Sequence, residues 1–453
     1  MIVWVGHSCP THTYLSGPAA GNSDRAYTPP MFLPSGMPDR SSLRPLLVTF
    51  LAAMIVLHGW MFFSLRREIA AGYPDFTIFY TAGKCILQGH GRQLYDLETQ
   101  FAIQREFAAE VKHRENPLPF NHPPFEALLF APLARLPYVA AYLVWAGFNL
   151  ALILGFWILL RPLLPSLQGF LLALPLLAMF AFFPLVMALL QGQDSILLLF
   201  LYGLAFLALA TERNFAAGVC LGLALFKFQL VLPFVLVLMV RRQWRTVAGF
   251  LVTAFGLLLV SAAVVGWNGA MAYPGFVLRL SRSGAQAGIY PRDMPNLRGL
   301  VAGALHLAGP PATLLIVALS IALVALAAYG WRVQTERAQP GRQFVLGFSL
   351  CLTVAIITSY HMLTHDLSLL ILPIMLLAER LVSGEIVGPA RPILVASLAV
   401  LFLTPLYAVL QFWLGEMNLM VLSVAMFAAG TAIALTSKTG SARGEQPAAQ
   451  HAT

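Results

Sequence analysis

Apolar runs about as long as a bilayer is thick recur along almost the whole chain, and no other feature limits its fold so strongly. About twenty consecutive apolar residues in a helix cross the hydrocarbon core. The first such run covers residues 43–63, framed by Arg44 at its start and by Arg66 and Arg67 after it. Further runs follow at 138–160, 169–190, 196–210, 215–240, 247–265, 312–330, 344–359, 367–377, 393–413 and 417–435. With 59% hydrophobic and only 10% charged residues, against about 25% charged in soluble domains, the chain is expected to be an all-α polytopic membrane protein. The expected bundle has about 10–12 transmembrane segments.

The formal charge of +9 does not indicate a nucleic-acid partner, because the basic residues stand singly or in small groups between apolar runs. That placement reads as membrane orientation. The four cysteines, Cys9, Cys85, Cys220 and Cys351, form no C-x-x-C pair, so neither a disulfide framework nor a cysteine metal site is expected. Residues 1–43 are rich in Pro, Gly and Ser and lack the apolar core of a signal peptide. They are expected to be a disordered cytoplasmic tail, with Met31 or Met37 as alternative starts. Residues 44–436 then form the membrane domain, and 437–453 a second disordered cytoplasmic tail.

Two links are long, 66–123 and 266–298. The first mixes acidic and basic residues and contains two stretches of partly helical apolar spacing, 78–87 and 97–111, expected to lie on the membrane as interfacial helices. Asp96, just ahead of the second stretch, suits a helix cap or a turn. If the first long link is outside, the links assigned to the cytoplasm hold twelve Lys or Arg: Arg161, Arg213, Arg241, Arg242, Arg245, Arg332, Arg337, Arg342, Arg380, Arg391, Lys438 and Arg443. The short outer links hold none. This asymmetry survives only if residues 215–240 enter and leave on one side. That piece is therefore expected to be a re-entrant pair of half-helices with Lys227 near its tip, a geometry tolerated where protein or a wet cavity surrounds the backbone.

Polar residues that suit chemistry gather at the outer ends. Asp75 stands about ten residues beyond the first apolar run, as a solvated acid or as a general base. The stretch SYHMLTHDL, 359–367, places His361, His365 and Asp366 within a few residues, the histidines on one face if the link is helical. This is either a polar cap on a helix hairpin or an assisting group; as a zinc pair it lacks the Glu of the metalloprotease motif. Lys227, with Gln229 beside it, lies in an apolar context where an ammonium is costly. It either meets an anion or snorkels. Gln191 and Gln193, with Gly192 and Asp194, form a tight turn or a hydrogen-bonding site. In the second long link Arg279, Arg282, Arg292 and Arg298 go against the orientation rule, and are either anion ligands or a solvated loop facing lipid headgroups.

The stretch YPDFTIFYTAGKCILQGHGRQLYD, residues 73–96, resembles the first outer loop of the family 87 glycosyltransferases. Asp75, Phe76, Tyr80, Ala82, Gly83, Leu87, Gly89, Leu94, Tyr95 and Asp96 follow the family's DF, YY-x-A-G, L-x-G, LYD rhythm, with Phe79 at the first aromatic position. The resemblance continues through NHPPFEALLFAPLARLP, 121–137, and Gly222 to Lys227, and reaches the turn at 191–194, where Asp194 stands in place of the usual Asn. It implies a C-type glycosyltransferase bundle, multi-pass in the cytoplasmic membrane. The implied activity is inverting transfer of a hexose, with mannose expected, on the extracytoplasmic side. The donor would be a polyprenyl-phosphate-linked sugar, and the acceptor lipid- or glycan-linked. Asp75 would be the base, with His361, His365 and Asp366 in support. Lys227, Gln229, Gln191, Gln193, Tyr80, Arg279, Arg292 and Arg298 would bind substrate. No cofactor and no metal are expected, and membrane lipids are the remaining partners. The alternative class is a transporter or flippase of a lipid-linked sugar, which would spread polar residues along several spans and mirror its breaks in two halves. No second half here mirrors the first.

Overall fold

The computed structural model describes residues 40–108, 118–283, 290–331, 341–404, 406–407 and 418–437. The expected tails, apart from residues 40–43 and Ser437, and the end of the second loop helix beyond residue 108 lie outside the described residues. Among the described residues every regular element is helical. The described residues from Pro45 onward form one unit, and the site lies wholly within it.

The elements that position the site are α1 (Arg40–Ser64), α2 (Phe76–Leu87), α3 (Leu97–Phe107), α4 (Pro124–Phe130), α5 (Tyr138–Leu160), α6 (Leu174–Ala181), α7 (Phe183–Gln191), α8 (Ser195–Ala210), α9 (Asn214–Leu223), α10 (Phe228–Val240), α11 (Trp244–Val265), α12 (Trp267–Ser283), α13 (Leu297–Ala304), α14 (Gly309–Gly330), α15 (Arg342–Ile357), α16 (Ile371–Val382), α17 (Ala390–Leu401) and α18 (Met420–Thr436). Among the described residues five stretches are long and apolar enough to cross a bilayer: Arg44–Ser64, Tyr138–Leu163, Asn214–Val240, Trp244–Val265 and Gly309–Gly330. The pair α6 and α7, bent by 63° between Ala181 and Phe183, makes a sixth if it is counted as one span. Pro184 cannot supply the N–H that an unbroken helix would use there. Among the described residues the shorter apolar helices have 10–17 residues, so the eleven apolar runs of the sequence do not translate there into as many full-length spans. The shortest route to an apolar surrounding is protein: from Phe344 to Ile357 every residue of α15 is buried.

The piece between α8 and α11 settles into the re-entrant form, although Asn214–Val240 is long enough to cross once. A Cβ at Gly218 would meet Thr246 and Phe250, and one at Gly222 would meet Phe250 and Thr253. The contacts advance together along both helices, so α9 and α11 run parallel. With only α10 and a tight turn between them, α10 must run back, and Arg213 and Trp244 lie at the same end. The hairpin turns through the 3-10 segment Ala224–Lys227. Returning, α10 passes α8, where the Tyr202 hydroxyl donates to the Leu230 carbonyl at 3.0 Å.

The first long link carries the two expected helices, α2 and α3. Asp96 caps α3, its carboxylate accepting from the Thr99 N–H at 2.9 Å. At the far end of the bundle the buried Glu379 of α16 accepts from the Ser166 and Leu167 N–H groups at 2.8 and 2.9 Å, capping a short helix that enters α6. A carboxylate at a helix N-terminus satisfies orphan donors and faces the positive end of the dipole.

Candidate functional site

Four segments meet at one end of the bundle: the start of α2, the link between α7 and α8, the hairpin tip, and the 3-10 segment Thr364–Leu370. Each is held there by an identifiable local cause. In α5, Tyr142, Trp145 and Asn149 recur at helical spacing on one buried face. Their polar ends grip the link: the Tyr142 hydroxyl donates to the Leu190 carbonyl at 3.0 Å, the Trp145 indole to the Gly192 carbonyl at 2.8 Å, and the Asn149 amide to the Gln193 carbonyl at 3.4 Å. Gly192 takes a left-handed φ of +62°, and a Cβ there would lie 2.7 Å from the Cβ of Phe76. Glycine is needed at this C-terminal helix position on both counts.

Asp75 occupies the cap position of α2, yet its side chain makes no capping bond. The carboxylate instead accepts from the Gln193 side-chain amide at 2.8 Å, while the Asp75 N–H donates to the Gln191 side chain at 3.2 Å. The other end of the Gln193 amide accepts from Lys227 at 3.2 Å. The Lys227 ammonium, 2% exposed, also donates to Asp366 at 2.6 Å and lies 2.9 Å from Asp194. Asp366 is further tied by the Ser195 hydroxyl at 2.9 Å and the Leu363 N–H at 3.0 Å. His365 stands 3.6 Å from the same carboxylate.

These groups open on a cavity of about 200 Å³, with Asp75, Gln193, Lys227, Gln229, His361, His365 and Asp366 in its lining. Ile78, Phe226, Phe228, Val277, Leu280 and Leu363 give it an apolar wall. Five expected site residues lie outside the lining. Tyr80 is core, 3% exposed, its hydroxyl donating to the Leu136 carbonyl at 2.7 Å. Arg279 and Arg292 are exposed and outside the lining. Arg298 lies behind the rim, its guanidinium 4.9 Å from the ring of Tyr360, which does line the cavity. Gln191 acts on the Asp75 backbone from outside the cavity.

Sequence reasoning passed over His122 and Glu126. The His122 ring lines the cavity, with Nδ1 2.8 Å from Glu126 and 3.5 Å from Asp194. The signal was the i, i+4 spacing of His122 and Glu126 across Pro123-Pro124, where α4 opens with a proline in its first turn. Burial pushes the Glu126 carboxyl up, and the neighbouring Asp194 adds to the effect. Burial lowers His122 and His361, each to about 4. For Asp366 burial acts upward but is outweighed by Lys227, His365 and the hydrogen bonds, which hold the carboxyl well below the usual carboxylate range. The histidines are therefore neutral near pH 7, and Asp366 is ionised.

The family model of glycosyltransferase family 87 matches residues 120–359, 240 of the 453 residues. The chain belongs to glycosyltransferase family 87. No curated protein and no solved structure matches it. The family 87 match takes in His122, Glu126, the 191–194 link and Lys227; Asp75 and Asp366 lie outside it and are joined to it through Gln193 and Lys227, while His361 and His365, also outside, share the cavity lining. Membership makes the chain a membrane glycosyltransferase, and the polar cavity at one end of its apolar helices is the candidate active site.

Proposed function

We propose that this family 87 protein transfers a hexose, mannose being the expected sugar, from a polyprenyl-phosphate donor to a lipid- or glycan-linked acceptor at the outer face of the cytoplasmic membrane. Asp75 is the general base. The observation that carries this reading is the state of the Asp75 carboxylate: it faces the cavity, leaves its helix uncapped, and is aimed by Gln193. In the inverting step Asp75 takes the proton of the acceptor hydroxyl, the acceptor oxygen bonds to the anomeric carbon, and the bond to the phosphate oxygen breaks with its electron pair leaving on the phosphate. The apolar wall suits a lipid-borne substrate, and the polar floor its head.

The Lys227 protons are directed at Asp194, Asp366 and Gln193. In this state the ammonium organises the floor, and direct contact with a donor phosphate requires one of those partners to give way. His361 and His365 face the same space and are placed to donate to the phosphate when protonated by its approach.

The test uses purified protein, a labelled polyprenyl-phosphate mannose and a membrane lipid extract. Asp75→Asn keeps the size and polarity of the side chain and removes the proton acceptor, so transfer should fall about a hundredfold to ten-thousandfold while donor binding persists. Near-normal turnover by this variant would overturn the assignment and move the search for the base to Asp366.

A further inference from the structure

At the edge of the cavity, reached from it by the His122 ring, lies a set of donors for which the transfer step has no use. His122 comes from the strand of chain before Pro123-Pro124, Glu126 from the first turn of α4, and Asp194 from the residue preceding α8. One ligand atom from each lies within 4.8 Å of the others. Glu126 is 2% exposed and Asp194 fully buried. Although His122 Nδ1 is 2.8 Å from Glu126 Oε2, the two are out of hydrogen-bonding line. His122 Nδ1, both Glu126 oxygens and the Oδ2 of Asp194 are buried without a hydrogen bond. Buried polar atoms in that condition are costly. Lys227 meets only the Oδ1 side of Asp194, at 2.9 Å, leaving Oδ2 turned toward His122 at 3.5 Å.

The charges point the same way. Glu126, Asp194 and Asp366 set three carboxylates against the single ammonium of Lys227. A doubly charged cation brings that sum to zero, whereas one proton on Glu126 leaves it negative. Donor atoms about 2.1 Å from a common metal lie roughly 3.0–3.4 Å apart, and the separations of 2.8 and 3.5 Å bracket that span. One imidazole with two carboxylates suits Zn²⁺ or Mn²⁺ better than Mg²⁺ or Ca²⁺, which prefer oxygen donors alone.

We propose that His122, Glu126 and Asp194 form a binding site for one divalent transition-metal cation, with Lys227 holding the outer oxygen of Asp194. On the reading given above, such an ion also removes surplus negative charge from beneath a cavity that must admit an anionic donor. Binding itself does not depend on that reading, and the measurement is of binding alone.

The experiment uses untagged full-length protein in detergent. Metal content is measured by mass spectrometry as purified; after chelation, Zn²⁺ and Mn²⁺ are titrated separately by calorimetry and by thermal unfolding. The expected result is about one equivalent of one of these ions, with a rise in Tm that Glu126→Gln and His122→Ala abolish and that the double variant His361→Ala, His365→Ala retains. Should His122→Ala fail to fold, Glu126→Gln, nearly isosteric, carries the test. Absence of stoichiometric binding by the wild type overturns the proposal. So does binding that Glu126→Gln leaves unchanged, or that follows the His361 and His365 pair instead. A Glu126→Gln protein that matches the wild-type Tm, with neither responding to metal, assigns the site to a shared proton.

Discussion

The Gln193 side chain donates to Asp75 across 118 residues of sequence, at 2.8 Å, and its carbonyl end is fixed by Lys227. An amide held at both ends has one orientation, so the carboxylate it serves is aimed rather than merely present. Asp75 thus depends on a hub that includes Lys227, Asp194 and Asp366.

Gln193→Ala should therefore lower kcat by about tenfold to a hundredfold, the range expected when a catalytic group is misplaced by a fraction of an ångström, with a smaller change in KM. Gln193→Leu, which fills the space without the hydrogen bonds, should be no better. Steady-state kinetics on purified protein checks this; a loss confined to KM would make Gln193 a substrate ligand instead.

The hairpin predicts which positions share a side of the membrane. Single cysteines at Glu212 and Gln243, beyond the two ends of the Asn214–Val240 stretch, should react with an impermeant thiol reagent from the same side, and from the side opposite to one at Thr364. Labelling of 212 and 243 from opposite sides would establish a single crossing.

Gly192→Ala meets two obstacles, a left-handed φ and a Cβ 2.7 Å from Phe76. Together these should cost about 2–5 kcal/mol, read as lost expression or a lowered Tm. Adding Phe76→Leu should recover little of it, because leucine keeps the Cβ that the new methyl meets. Full recovery would place the clash at the Phe76 ring instead.

His361 supplies a pH dependence whose sign is fixed. Its folded-state value, lowered by burial to about 4, lies below the ordinary 6.5, so the folded protein binds fewer protons there than the unfolded chain. The associated stability is whole above about 6.5 and is lost as pH falls through that interval toward 4. The groups that act on it are Asp366, which opposes the lowering, and Arg298, Lys227 and His365, which add to it. His361→Gln should flatten the decline of Tm between those pH values by a few degrees; an unchanged slope would place the acid sensitivity elsewhere.

Much of this arrangement was legible before any coordinates. Apolar length fixed the class of fold, charge asymmetry implied the hairpin, and the two loop helices and the Asp96 cap followed from local spacing. Such signals are short-range. Tyr80 belongs to the same family-like stretch as Asp75, but helical geometry turns its ring into the core against Phe107 and Tyr138. His122 and Glu126 stand four residues apart within the 121–137 stretch, but their meaning comes from Asp194, nearly seventy residues along the chain. Periodicity reports which face a residue takes; it carries no record of what stands opposite.

The glycines of the hairpin have a consequence for how this cavity can vary. Gly218 and Gly222 press α9 against α11 with backbone in contact with backbone, and Gly249 answers from the other side, a small-residue seam of the kind that lets helices meet closely in lipid. A seam without side chains has no rotamers to readjust, so it works as a ruler that sets how far below the rim the Lys227 ammonium stands. Variation in acceptor preference should then be written at the rim, in positions such as Tyr290 and Tyr360, while the depth at which the reacting bond lies stays constant.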